Sequence, residues 1–276
     1  IGEPLGWWSV SRTGFIAAHF HLAAVGFVTL TIVGVGSRMV PMFLFAQTAP
    51  TWPLTGFGPV AVGGLLLHAS GLLLGHQGLS TVGGASLVLA GSLLVLQVGL
   101  WFRHRARREV DPGIGYLLAG TGFLLGTIVL GVLRLSAGGF DPRGWAAYAV
   151  VALLGWCTMF TLGVAHRIVP FLSWLHLFGG MSRGAHAPPV TALVHRPLAW
   201  ASLGLIATGT ATLAAGISLG MTGLAVTGGL SLAAGTLAIA AQVVRGFQLW
   251  RATPRDPASP PPPSPRPTGR PLEVLS

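Results

Sequence analysis

Charge is scarce in this chain of 276 residues: 8% are Asp, Glu, Lys or Arg, against about 25% in an average soluble domain. Lysine is absent, so all 16 basic residues are arginine. So little charge cannot cover a surface that faces water all round, which excludes a soluble globular enzyme. The 52% of hydrophobic residues excludes disorder over the whole chain. Cys157 is the single cysteine, so no disulfide framework forms within the chain. The six acids are Glu3, Glu109, Asp111, Asp141, Asp256 and Glu273, all outside the apolar runs. A proton-coupled carrier or a metal transporter that works through buried carboxylates therefore lacks its working groups. With no HExxH, no CxxC and no Ser/His/Asp set, a membrane hydrolase is not expected either.

What the chain has is apolar length. Its mean hydropathy is +0.72, and a helix needs about 20 apolar residues to cross a bilayer. Seven runs qualify: Thr13–Phe45, Phe57–Gly75, Leu79–Phe102, Ile114–Ser136, Trp145–Leu177, Pro197–Leu219 and Gly223–Trp250. They are too long for barrel strands and do not alternate. The predicted fold is an all-α membrane protein, a bundle of seven transmembrane helices over residues 1–253, in contact with membrane lipid. Residues 254–276 read as a Pro-rich disordered cytoplasmic tail. The sequence begins with Ile1, and no charged n-region with a cleavage site precedes the first span, which leaves processing or an upstream segment open.

The net charge of +10 is not a nucleic-acid footprint, because the arginines sit at the ends of apolar runs. Arg103, Arg105, Arg107 and Arg108 crowd one loop, which the positive-inside rule makes cytoplasmic. Counting spans from there puts the N-terminus outside and the C-terminus in the cytoplasm. The membrane expected is a bacterial or archaeal cytoplasmic membrane.

An internal repeat runs through the chain. Gly26–Phe43 and Gly155–Leu172 lie 129 residues apart and share seven of eighteen positions, including Thr29/Thr158, Arg38/Arg167 and Pro41/Pro170. Both copies run from outside to inside, so the repeat is parallel, with a unit of about four spans (copies near 13–136 and 145–250). Inverted repeats are usual in many secondary transporters, which weighs against that class.

The nine histidines are the informative set. His19 and His21 lie about two turns inside the outer end of the first helix, His68 at similar depth in the second, and His76 at its outer end. A neutral imidazole ligates iron or copper without bringing charge into the membrane, so the metal-ligand candidates are His19, His21 and His68. Residues two apart point to nearly opposite faces of a helix, so one metal cannot easily take both His19 and His21. His166 and His176 flank the second proline, while His104, His186 and His195 are interfacial. Arg38 and Arg167 are candidates for haem propionates or lipid phosphates. Met39, Met42 and Met159 are possible soft ligands for copper but fit core packing better.

Ala18-His19-Phe20-His21, followed by Ala24-Val25-Gly26-Phe27-Val28 and then Gly34 and Val40-Pro41, resembles one helix of heme–copper oxidase catalytic subunits. The likeness is to the C-family oxidases and nitric-oxide reductases. The resemblance covers about thirty residues. It implies a haem b, with His19 toward a high-spin-type site and His21 on a low-spin haem; His68, His76, His166, Arg38 and Arg167 complete the candidate cofactor set. It further implies an electron-transfer, gas-binding (nitric oxide or oxygen) or oxidase-accessory role. Quinol or a cytochrome would be the electron donor, and subunits of a respiratory complex the partners. The copper-site motifs, His-Pro-Glu-x-Tyr and His-His, are absent, and Tyr148 and Val150 stand where the repeat would place the histidines. A complete oxygen reductase is therefore not expected. The alternatives are a non-haem transporter and a structural or copper-handling assembly subunit.

Overall fold

The computed structural model describes residues 11–106, 108–137, 141–178 and 189–252. Among the described residues seven helices are long and apolar enough to cross a membrane: α1 Arg12–Leu44, α2 Trp52–Leu74, α3 Gln77–Arg103, α4 Pro112–Ser136, α5 Pro142–His176, α6 Arg196–Leu219 and α7 Thr222–Gly246. The chain is an integral membrane helical bundle, and its outward-facing leucines, valines and phenylalanines contact lipid. The tail 254–276, His186, Arg107 and Arg183 lie outside the described residues.

Local chemistry sets the helix ends. Ser11 caps α1 by accepting the Gly14 N–H at 3.0 Å, and Asp141 caps α5 ahead of Pro142 at the first helical position. His76 and His195 cap α3 and α6, each Nδ1 accepting an N–H three residues on. Such oxygen and nitrogen acceptors satisfy donors that the first turn leaves without partners. Gly75 and Gly220 end α2 and α6 with φ of 66° and 65°, the left-handed conformation that suits glycine. α2 starts five residues before the apolar run does, because Trp52-Pro53 opens the helix with proline in its first turn.

α2 and α3 form one tight antiparallel hairpin, α6 and α7 the other, and α4 lies between α3 and α5. The hairpins are alike in detail. A Cβ on Gly64, Gly71 or Gly83 would strike the backbone of the facing helix, and so would one on Gly209, Gly216 or Gly228. These positions are related by a constant offset of 145, as are Gly75 and Gly220. Residues 64–87 and 209–232 are identical at eleven of 24 positions. Gly71 and Gly216 carry a close approach, while Gly75 and Gly220, four residues on, are helix ends.

α1 and α5 share a different feature. Each contains a π-helical segment, Leu22–Thr29 and Val151–Cys157, placed at the 129-residue offset. In each, a threonine hydroxyl donates to the carbonyl five residues back: Thr29 to Ala24 at 2.8 Å and Thr158 to Leu153 at 2.9 Å. A π turn displaces a carbonyl from the regular α ladder, and the threonine satisfies it, which gives the shared Thr29/Thr158 a physical role. The two segments touch through Trp156, whose Nε1 donates to Thr29 Oγ1 at 3.1 Å. This buried bond is worth about 1 kcal/mol net. Trp156→Phe and Thr29→Val should each lower the unfolding temperature, and the double variant should cost less than their sum. A strictly additive double-mutant cycle would refute the coupling.

Candidate functional site

His21 and His68 meet inside the bundle. His21 is 4% and His68 5% exposed, and their ring centres are 4.6 Å apart at a steep angle. His21 Nδ1 lies 2.8 Å from the Ala17 carbonyl, one turn back on α1. His68 Nδ1 lies 2.7 Å from the Ser80 carbonyl on α3. A carbonyl only accepts, so both Nδ1 atoms carry the proton and both Nε2 atoms keep a lone pair. This is the arrangement in which metal-bound imidazoles are held, with the outer nitrogen fixed by a carbonyl. Gly83 and Gly64 let α3 approach closely enough for the Ser80 carbonyl to reach His68.

The pair borders a cavity of 360 Å³ between α1, α2, α3, α4 and α5. Aromatic groups Phe20, Phe57, Trp145, Tyr148 and Trp156 form part of its wall, and the small residues Gly84 and Gly91 also line it. Tyr148 and Trp145 pack against His21, at 5.9 and 6.2 Å between ring centres. Tyr148 is thus the residue that the second copy of the repeat sets beside the histidines of the first. Arg134 also lines the cavity; its Nε is buried without a partner, while its Nη1 donates to Asp141 at 2.9 Å.

Asp141 joins the mouth of this site to the start of α5. It accepts from Arg134 and from the N–H groups of Arg143 and Gly144, both at 3.1 Å. The Arg134 hydrogen bond, aided by these two, holds its carboxyl below the usual carboxylate range. A depressed carboxylate stabilises the fold above its unfolded pKa, and that contribution disappears as pH falls through the folded value. The unfolding temperature of the parent protein should therefore exceed that of Asp141→Asn at pH 7, with the gap closing as pH falls below the ordinary carboxylate range. A gap that stays constant with pH would show that the charge contributes nothing.

The other sequence candidates go elsewhere. His19 is exposed, does not border the cavity, and stacks on Phe15. His76 uses Nδ1 as an acceptor for α3, so its Nε2 carries the proton and offers no lone pair. Arg38 is exposed near the far end of α1, about 25 Å from His21 along the helix. Arg167 is paired with Asp111 at 2.5 Å and lies over the Phe43 ring. His166 stacks on Tyr116 at 4.7 Å between ring centres and lines a second cavity with His176. Met159 is fully buried among Tyr116, Leu203 and Ile206, where it fills core space.

Sequence reading missed Arg134, Trp145 and Ser80. The available signal for Arg134 was its place on α4 at the end of the bundle that carries His21 and His68. Nothing local marks Ser80, since its carbonyl acts through an interhelix contact. No protein-family model, curated protein or solved structure matches this chain.

Proposed function

We propose that the chain is an integral membrane b-type haem-binding protein related to heme–copper oxidase catalytic subunits, serving electron transfer, gas binding or an oxidase-accessory role. The observation that carries this reading is the buried His21/His68 pair, with both Nε2 lone pairs free beside an aromatic cavity. Among the described residues no group of three or more His, Cys, Asp or Glu gathers to hold a bare ion; a porphyrin brings four nitrogens of its own. The buried Arg134 Nε, a donor without a partner, suits a carboxylate of such a group better than the distant Arg38 or the paired Arg167.

The donor set fits haem with one adjustment. Two imidazoles on opposite sides of an iron have ring centres about 6 Å apart, from metal–nitrogen bonds near 2 Å. The rings stand at 4.6 Å, so His21 and His68 must part by about 1.5 Å to clamp iron together; otherwise one ligates and the other lies alongside. When bound, haem would supply a one-electron couple and the chemistry for binding nitric oxide or oxygen. The chain's own residues orient Nε2, exclude water with Trp145, Tyr148 and Trp156, and offset carboxylate charge with Arg134. By the positive-inside rule the site lies in the outer half of the membrane, with the C-terminus in the cytoplasm.

A second reading has a specific observation behind it. Two imidazoles bound side by side to one small ion have ring centres about 4.5 to 5 Å apart, which matches the spacing found. Copper handling is the chemistry that would use it. The deciding experiment is a dithionite-reduced minus oxidised spectrum of the purified protein, with metal analysis. A sharp α-band supports haem. A featureless spectrum from folded, haem-supplied protein overturns it, and stoichiometric copper in that sample would install the second reading.

A further inference from the structure

α7 is the least buried of the seven spans, and among the described residues it packs extensively on α6 alone. We propose that its open face is the contact surface of a parallel, two-fold dimer of this chain, centred on Gly229, Ala233, Thr236 and Ala240.

The repeat singles out this face. At the offset of 145, α7 corresponds to α3, and the four residues stand where α3 has Gly84, Val88, Gly91 and Val95. On α3 that strip binds a helix. Leu135 and Ile128 of α4 come within 3.0 Å of where a Cβ on Gly84 or Gly91 would stand, and Val88, Gly91 and Val95 are half-buried. On α7 the same strip is bare. A Cβ on Gly229 would meet nothing within 4 Å, and Ala233, Thr236 and Ala240 are exposed. Residues 253–276 hold nine prolines and carry no apolar run that could take the place of α4. Val243, one turn beyond Ala240, edges the second cavity, which Gln242 and His166 also line. A covering helix would wall that cavity as α4 walls the first through Ile128 and Leu135.

The strip suits its own copy. Gly229 and Ala233 lie four apart, as do Thr236 and Ala240, and small residues at that spacing let two helices in a membrane approach backbone to backbone. Two chains inserted with one topology present α7 in the same direction. The strip then meets itself across a two-fold axis, and no second surface is needed. From Thr222 to Val244 the helix carries no charge, so self-contact sets no like charges together. That length is about 33 Å, enough to cross a hydrocarbon core of about 30 Å. Lipid is met elsewhere by large side chains, as by Leu118, Leu125, Val129 and Leu133 on the exposed face of α4. The dimer does not depend on the haem reading.

The test is made on the full chain in liposomes, by counting photobleaching steps of a labelled tail and by oxidative cross-linking of single cysteines. Cys157 is buried, so the parent serves as the blank. Two bleaching steps are expected, persisting as the lipid excess is raised. Ala233→Cys and Ala240→Cys should each give a disulfide-linked dimer, because each residue faces its own copy. Val129→Cys and Leu133→Cys on α4 should not. Gly229→Leu adds bulk where no neighbour stands, so it keeps the fold and should weaken the dimer about tenfold or more, an interface loss of about 1.4 kcal/mol. Single bleaching steps in the parent, equal cross-linking from the α4 positions, or an undiminished dimer in Gly229→Leu would overturn the proposal. So would a cross-link from Ala233→Cys to a different polypeptide in the membranes of the expressing cell, which would give the face to another partner.

Discussion

Replacing His21 with alanine is expected to abolish a low-spin haem spectrum, and His68→Ala should do the same, while His19→Ala leaves the spectrum unchanged. The expectation separates two sources of inference. The family resemblance assigns work to both members of the His-x-His pair. The structure puts His21 in the cavity beside His68 and leaves His19 exposed against Phe15. A side chain on the far face of α1 cannot reach that cavity. Truncation at a buried site also costs packing, about 2–5 kcal/mol for a large side chain, so His21→Leu, which keeps the volume, should accompany it. A monodisperse His21→Leu protein without the α-band isolates the loss of the ligand from a loss of fold. An α-band that survives in both His21→Leu and His68→Leu, or one lost in His19→Ala, would refute the assignment.

The second large effect is structural and reaches the same site. Gly83→Ala should destabilise the protein by about 1–3 kcal/mol or more. Its Cβ would meet the His68 backbone and the Gly64 carbonyl, and backbone cannot rotate aside as a side chain tip does. The α2/α3 hairpin must then open, carrying His68 away from the Ser80 carbonyl that fixes its ring. Gly228→Ala meets the Leu213 backbone in the other hairpin and should be equally costly to stability. It should spare the spectrum, because no histidine stands there. Gly63→Ala, with nothing within 4 Å, is the control and should be neutral or mildly stabilising, as alanine favours helix. The three unfolding temperatures and three spectra test the scheme together. A Gly83→Ala protein that is both stable and spectrally normal would show that this close approach does not hold the site.

The two halves of the bundle explain part of what a linear reading misses. The sequence shows the α1/α5 likeness at an offset of 129. The hairpins correspond at 145, because the connection after α5 is longer than the short Ala46–Thr51 turn after α1. One fixed offset therefore loses the second half of the match. His68 falls opposite Leu213 and His21 opposite Val150, so the imidazole pair belongs to one half alone. The other half supplies Trp145, Tyr148 and Trp156 to the same cavity, and its own cleft is the one with Gln242 and His166.

Composition and run length alone determined the class of this protein, its seven membrane helices and the residue types available for chemistry. That is because hydrocarbon imposes a length and a polarity on each span one at a time. Helix ends were legible in part, from Asp141-Pro142, Gly75 and Gly220, since caps are local. Which histidine lines the cavity was not legible: i and i+2 place His19 and His21 on different faces, and only packing against α2 and α5 selects one. The tautomers were equally hidden, since Ser80 reaches His68 through a contact between helices and Leu79 turns His76 into a cap. Arg38 and Arg167 look alike in sequence, yet one is exposed and the other is paired with Asp111. Partners of this kind lie far apart in the chain, and only the tertiary structure brings them within hydrogen-bonding distance.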